Sequence, residues 1–268
     1  MDANDGGLGR SPLRANAEGG FFFPAATQVE AAARLRFLFR QRRSGGLVRG
    51  GVGSGKSTIL CRFADECRRA GAEVACVSPL ARGPRELGWE LAAQWGLQPA
   101  AGDDEVRLRR RLSDYARGVV HRRCRAVLVV DDLEQSAPET ARHMAGLLGL
   151  IGAPGWLTLA AACSDEATLP RELALVETLD LQAALEPWEA SESVAAIGAA
   201  LRQAGASDAW FEPAAALLAH ELSGGIPGPL FRLADAALSV AAAWGVDQVD
   251  LAAVETAWSE LRPRRAAA

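Results

Sequence analysis

Apolar positions recur along this chain in two rhythms. Between residues 46 and 181 short apolar runs alternate with segments of helical spacing. The runs 46–49, 73–77, 125–130 and 156–162 predict strands, and 175–181 predicts a fifth. The run ending Val127-Leu128-Val129-Val130 has no polar alternation, as in a strand covered on both faces. A helix is expected over 27–43, capped by Thr27, with Val29, Ala32, Leu35, Leu38 and Phe39 on one face. Ile59, Leu60, Phe63, Ala64 and Cys67 give 58–69 a helical stripe. Further helices are expected over 84–95, from Gly102-Asp103-Asp104 through Arg117, and over 136–150. Strands alternating with helices imply a parallel sheet flanked by helices on both faces.

Beyond Pro187 the strand rhythm stops. The segments 190–203, 212–222, 229–244 and 251–261 all carry helical spacing, the pattern of a small all-helical domain. The break falls at Leu185-Glu186-Pro187. The expected organisation is a polar, disordered segment over 1–20, an α/β domain over 21–186, a helical domain over 187–262 and a basic tail over 263–268.

Composition narrows the function classes. The chain has 268 residues, is 49% hydrophobic and carries a net charge of −4, which gives no global electrostatic case for nucleic acid and leaves local patches open. Arg107, Arg109, Arg110, Arg111 and Arg117 read as the solvated face of one helix, with a nucleic-acid or partner contact as the competing reading. The five cysteines show no CxxC spacing and read as buried small hydrophobes in a reducing compartment. His121, His143 and His220 are scattered, against a zinc site. No apolar run approaches the ~18 residues of a membrane span, and the polar N-terminus lacks the apolar core of a signal peptide. A cytoplasmic, bacterial or archaeal setting is the default expectation.

The candidate chemistry centres on one residue. Of the 29 Lys and Arg only Lys56 is lysine. It sits in Gly50-Gly51-Val52-Gly53-Ser54-Gly55-Lys56-Ser57-Thr58, which fits the phosphate-binding P-loop pattern G-x-x-x-x-G-K-[ST]. Glycines let the backbone bring bare N–H groups against a ligand, and successive N–H groups form an anion cradle. The helix starting there points its positive end at the same place. Lys56 is expected to reach the β- and γ-phosphates and the Ser57 hydroxyl to complete a Mg²⁺ shell; a forked arginine is too bulky for the first task. The competing reading is a glycine-rich turn that binds nothing. Asp131-Asp132 closes the run over 125–130, where α/β sheets bind ligands, and Asp131 is the expected Mg²⁺ acid, acting mainly through water. An ordinary strand exit through Asp is the alternative. No N/T-K-x-D base-reading motif is present, which favours ATP over GTP. Phe21-Phe22-Phe23-Pro24 reads as core, or as a neighbour of the nucleotide base.

A P-loop domain followed by a helical lid resembles the AAA+ ATPases. Phe21-Phe22-Phe23-Pro24, Gln28-Val29-Glu30-Ala31 and the later Ser223-Gly224-Gly225-Ile226-Pro227 with Arg232-Leu233 resemble the ATPases of the general secretion pathway protein A (ExeA) type. The resemblance implies an α/β fold with a parallel five-stranded sheet and a helical lid, ATP and Mg²⁺ as cofactors, and possible assembly into a homo-oligomeric ring. It assigns Asp131 to the Mg²⁺-associated acid, Asp132 to the residue that polarises water, Ser164 to the γ-phosphate sensor, and Gly224 to Pro227 to lid closure. The chain departs from the pattern in three places. Asp132 stands where a Glu is usual, and Glu134 is a substitute at an unusual spacing. Gly228-Pro229 stand where an Arg is usual, with Arg232 about one turn on. The stretch 175–179 has no arginine, and Arg171 is the nearest finger candidate. Three readings follow: a Mg²⁺-dependent ATP hydrolase that changes shape and works on a protein partner; a slow or non-hydrolysing ATP-loaded switch; and a DNA-transaction ATPase of the transposition-helper or initiator type.

Overall fold

A computed structural model describes residues 21–151 and 157–261. The segment expected to be disordered (1–20), the basic tail (263–268) and Trp156 at the start of a predicted strand lie outside the described residues. The chain divides into two compact units. Among the described residues, one comprises Ala26–Gly51 and Gly55–Leu185; the other takes 21–25, Val52–Ser54 and 186–261.

The first unit is α/β. In chain order it holds α1 (Ala26–Arg40), β1 (Gly45–Gly50), α2 (Lys56–Arg69), β2 (Glu73–Val77), α3 (Pro84–Gln94), α4 (Glu105–Arg122), β3 (Ala126–Val130), a 3₁₀ turn (Leu133–Gln135), α5 (Pro138–Ile151), β4 (Leu157–Cys163), a second 3₁₀ segment (Arg171–Thr178) and β5 (Leu181–Leu185). The five strands form one sheet in the order β2-β3-β4-β1-β5, all pairs parallel. The burial pattern follows from this order. Central β3 and β4 are buried at every position, while edge strand β5 exposes Gln182 and Ala184. One face of the sheet, with Leu47, Val77, Leu128, Val130, Leu159 and Ala161, packs into a core with Leu87, Leu91, Leu108, Leu112, Met144 and Leu147 of α3, α4 and α5. Helix α1 packs chiefly on β5 and β1, and α2 on β2 and β4. Trp95 and Tyr115 stack with ring centroids 4.8 Å apart, and the Tyr115 hydroxyl donates to Glu73 Oε2 at 2.6 Å, fixing α4 to β2.

Several sequence expectations shift. The fifth strand is Leu181–Leu185; most of the predicted segment 175–181 forms the 3₁₀ turn before it. Helix α1 begins at Ala26, so Thr27 lies inside it rather than capping it. Its buried face is Gln28, Ala31, Leu35 and Leu38, and Val29 is 47% exposed. Helix α4 is capped as expected by Asp104, whose side chain accepts from Arg107 N–H, and its arginines at 107, 109, 110, 111 and 117 are exposed. Cys67 and Cys163 are buried, Cys76 and Cys124 half-buried, and Cys61 exposed, contrary to the uniform burial expected.

The second unit is helical: α6 (Ala190–Gln203), a 3₁₀ turn (Asp208–Trp210), α7 (Pro213–Ser223), α8 (Pro227–Trp244) and α9 (Leu251–Leu261). Its core is rich in alanine, which lets helices approach closely, and is filled by Ile197, Leu201, Phe211, Leu230, Leu233 and Val254. Phe21 to Ala25, assigned by sequence to the α/β domain, belong here: Phe21 meets Phe231 edge-on at 5.7 Å and Phe23 meets Trp188 at 5.5 Å. Phe21 and Phe23 therefore pack, half-buried, against the core of the helical unit.

A candidate nucleotide site at the carboxyl edge of the sheet

Strand order brings the candidate residues to one edge. β4 lies between β1 and β3, with Arg49 opposite Cys163 and Val130 opposite Ala161. The segments leaving β1, β4 and β3 are Gly51–Gly55, Ser164 and Asp131-Asp132, so three stretches far apart in sequence emerge side by side at the strands' carboxyl ends.

The loop between β1 and α2 has the backbone that an anion cradle requires. Gly53 and Gly55 take φ of +85° and +98°, left-handed conformations that side chains disfavour. Where a Cβ would stand on Gly51 or Gly55 there is open space. Gly53 is closed in differently: a Cβ there would lie 3.0 Å from Pro229 Cδ, and its carbonyl accepts from Gly228 N–H at 2.9 Å. Gly55 is the left-handed residue before α2, and its carbonyl accepts the first helical bond, from Ile59 N–H. Lys56 opens the helix. It is buried, and its Nζ donates to the Gly50 carbonyl at 2.6 Å and the Gly51 carbonyl at 3.0 Å. The loop thus curls around the ammonium. Ser57 is exposed in the first turn, Thr58 half-buried and Val52 82% exposed.

Asp131 continues the line of β3, its N–H donating to the Val77 carbonyl at 3.0 Å. Burial, then the Asp131 and Asp65 carboxylates, raise the Cys61 thiol, with Arg68 opposing. Cys61 stands one turn after Ser57 on the same face of α2, so the Asp131 carboxylate lies within electrostatic reach of the helix face that carries Ser57. These two groups fit a Mg²⁺ ion bound through oxygen and water. Asp132 has a left-handed backbone, φ 49° and ψ 44°. Its N–H donates to Asp131 Oδ1 at 3.0 Å, and its Oδ2 accepts from Ser78 Oγ at 3.4 Å. Burial above all, then Asp131 and Glu134, raise its pKa, while the Ser78 hydrogen bond and Lys56 pull it down. Ser164 follows β4 and is half-buried, its carbonyl accepting from Ala167 N–H.

Two polar residues near the acids carry less weight in the sequence than in the structure. Ser78 was not singled out; its signal is being the first polar residue past apolar β2, the strand next to β3. Glu134 was noted only as a substitute, yet its Oε2 is enclosed and without a hydrogen-bond partner among the described residues.

Residues 40–154 match the model of the AAA domain family. No curated protein matches the chain in sequence. Solved structures match in fold. Drosophila ORC bound to DNA has a TM-score of 0.70 at 17% identity over 97% of this chain and 68% of that one. The Aeropyrum pernix ORC2 protein has 0.67 at 17% over 97% and 72%. Cdc6p from Pyrobaculum aerophilum has 0.68 at 14% over 96% and 70%. Residues 40–154 thus resemble an AAA domain, and the chain shares its fold, a five-stranded parallel sheet followed by a helical unit, with these solved structures.

Proposed function

We propose that the chain binds ATP with Mg²⁺ at Gly50–Thr58 and hydrolyses it, using the cycle to change shape and act on a protein partner. The observation that carries this is the curled loop: Lys56 Nζ held by two loop carbonyls at the head of α2, with Asp131 following β3 at the same edge of the sheet. In the proposed assignment the amides of Gly50 to Gly55 and the α2 N-terminus hold the phosphates. Lys56 draws the β- and γ-phosphates to them. Ser57 and Asp131 hold the metal, whose chemistry is to neutralise charge building on the β–γ oxygens. Asp132 stands beside the water that attacks, and Ser164 reads the γ-phosphate. Assembly into a ring and a secretion-type partner extend the same reading.

Phosphate release measured together with oligomeric state, with and without ATP, tests it. Steady release that vanishes in Lys56→Ala is the expected result. Unchanged ATP affinity in Lys56→Ala refutes the phosphate-cradle role. Tight binding with background turnover turns the reading into an ATP-loaded switch. Action on DNA is the second reading. It is favoured by the exposed arginines of α4 and by the fold shared with an ORC solved bound to DNA. Salt-sensitive, ATP-strengthened retention on duplex DNA is its signature.

A further inference from the structure

We propose that the exposed face of α4 in one copy of the chain docks into an open groove of the helical unit in a second copy. This goes beyond the ATP reading above and does not rest on it.

Charge is sorted along this chain. Residues 105–125 hold eight arginines against Glu105 and Asp114, a net charge of +6. Residues 186–261 hold eleven acids against Arg202 and Arg232, a net charge of −9. On α4, Arg107, Arg109 and Arg110 are exposed, and their guanidiniums meet no partner among the described residues. Val106, Arg110, Ser113 and Arg117 fall at i, i+4, i+7 and i+11 and so share one face of the helix. Val106 opens that face and is 75% exposed. Val120, toward the other end, is 47% exposed. An apolar side chain set among free guanidiniums has the make-up of a protein interface. A phosphate backbone would pair with the arginines and leave Val106 uncovered. The segment's one aromatic ring, Tyr115, is buried, so it offers bases nothing to stack on. A surface both acidic and apolar answers the whole face.

The helical unit carries such a surface. α6, the 3₁₀ turn Asp208–Trp210 and the start of α7 enclose a groove of about 630 Å³. Val194, Ile197, Phe211 and Pro213 form its apolar wall. Gly198 leaves room for the Arg202–Asp208 ion pair: a Cβ there would lie 3.3 Å from Arg202 Nη1 and 3.5 Å from Asp208 Cβ. That pair occupies Arg202, the one cation lining the groove among the described residues. Glu212 stands at the same rim, and its carboxylate has no partner among the described residues. The groove thus presents an apolar wall beside an unanswered carboxylate, and α4 presents an apolar side chain beside unanswered guanidiniums. Val106 fills the groove, and Arg110, one turn on, pairs with Glu212.

The two surfaces are different patches of one chain, so the contact is heterologous. Each pair leaves one α4 face and one groove free, and the contact repeats from copy to copy. Complementary charge speeds encounter and sets the register. Salt weakens it, because the Debye length shrinks from about 10 Å at 0.1 M to about 3 Å at 1 M. The apolar share comes from covering Val106, whose loss should weaken association about tenfold.

Sedimentation of the full chain without nucleotide, over a concentration series at low and high salt, tests the contact. Association that grows with concentration and weakens in high salt is the expected result. Val106→Asp alters an exposed position of α4, and Ala195→Trp plugs the groove from an exposed position of α6. Each should weaken association about tenfold or more with the melting temperature unchanged. Mixing the two variants should restore a one-to-one pair and nothing larger. The intact groove of Val106→Asp takes the intact α4 of Ala195→Trp, and the two surfaces left over are both spoiled. A misfolded variant could not give that rescue. Protein that stays monomeric at every concentration overturns the proposal. So does association that neither variant weakens, or a mixture that does not pair. Duplex DNA retention lost in Arg107→Ser and Arg110→Ser, with self-association unchanged, hands the face to nucleic acid and overturns it as well.

Discussion

Gly224 and Gly225 stand side by side between α7 and α8, and their different surroundings make a sharp test of how the helical unit is held. Both take left-handed conformations, with φ of +62° and +71°. Gly224 ends α7, its N–H donating to the Glu221 carbonyl, and a Cβ there meets nothing within 4 Å. A Cβ on Gly225 would lie 2.5 Å from the Trp188 carbonyl oxygen and 3.2 Å from the Trp188 nitrogen. These are backbone atoms and cannot rotate away. The same peptide is tied to Gly225 by a hydrogen bond from Trp188 N–H to the Gly225 carbonyl at 2.8 Å. Gly224→Ala therefore costs only the left-handed conformation, about 1–2 kcal/mol. Gly225→Ala bears the same cost and must also push Trp188 off, breaking that bond and loosening a ring that packs on Phe23 and Phe231. The extra cost is about 1–3 kcal/mol. Urea unfolding followed by circular dichroism, with equal m-values checked, reads the difference. Equal losses, or a larger loss at Gly224, would refute the close approach of residue 225 to the Trp188 backbone.

Three further outcomes follow from the same geometry. Leu38→Ala, at a fully buried position of α1, should cost about 2–5 kcal/mol, whereas Val29→Ala on the exposed face should stay within about 0.5 kcal/mol; urea midpoints that rank the two the other way would return α1 to the face expected from sequence. Asp180 is held below the ordinary carboxylate range, above all by the Ser44 hydroxyl, with burial opposing and backbone N–H bonds adding to the lowering. Its stabilising contribution is present above the ordinary carboxylate pKa and is lost as pH falls through the depressed native one, so the gap in melting temperature between parent and Asp180→Asn should close in acid; a gap independent of pH would contradict the Ser44 contact as its cause. Asp132 has the opposite sign. Its native pKa is raised, so its charge destabilises the fold at neutral pH and that penalty fades as pH drops through the raised value. Asp132→Asn should therefore melt higher than the parent at pH 7 and level with it in acid, and a lower melting temperature at pH 7 would count against burial as the dominant influence.

What the sequence discloses depends on how local the determining physics is. The phosphate loop was legible because its chemistry is contiguous: the glycines, the Lys56 ammonium and the Ser57 hydroxyl fall in nine successive residues. β3 was legible because a strand covered on both faces has no polar positions to blur it. β5 was misplaced because it is an edge strand with exposed Gln182 and Ala184, so Leu-Gln-Ala-Ala-Leu presents a weaker apolar run than the Leu-Ala-Leu-Val before it. The stripe on α1 was misjudged because helical spacing admits two neighbouring faces, and only packing against β1 and β5 chose the one that buries Gln28 and exposes Val29. Phe21 and Phe23 could not reveal that they pair with Phe231 and Trp188, residues more than a hundred and fifty positions away. The acids after β3 are the most instructive case. Asp131, Asp132 and Glu134 lie within four residues, and nothing local says what each will meet. Which partner the Asp132 carboxylate finds is set by Ser78, the residue that follows the neighbouring strand β2. That choice is a property of strand order, and strand order is written in no single stretch of the chain.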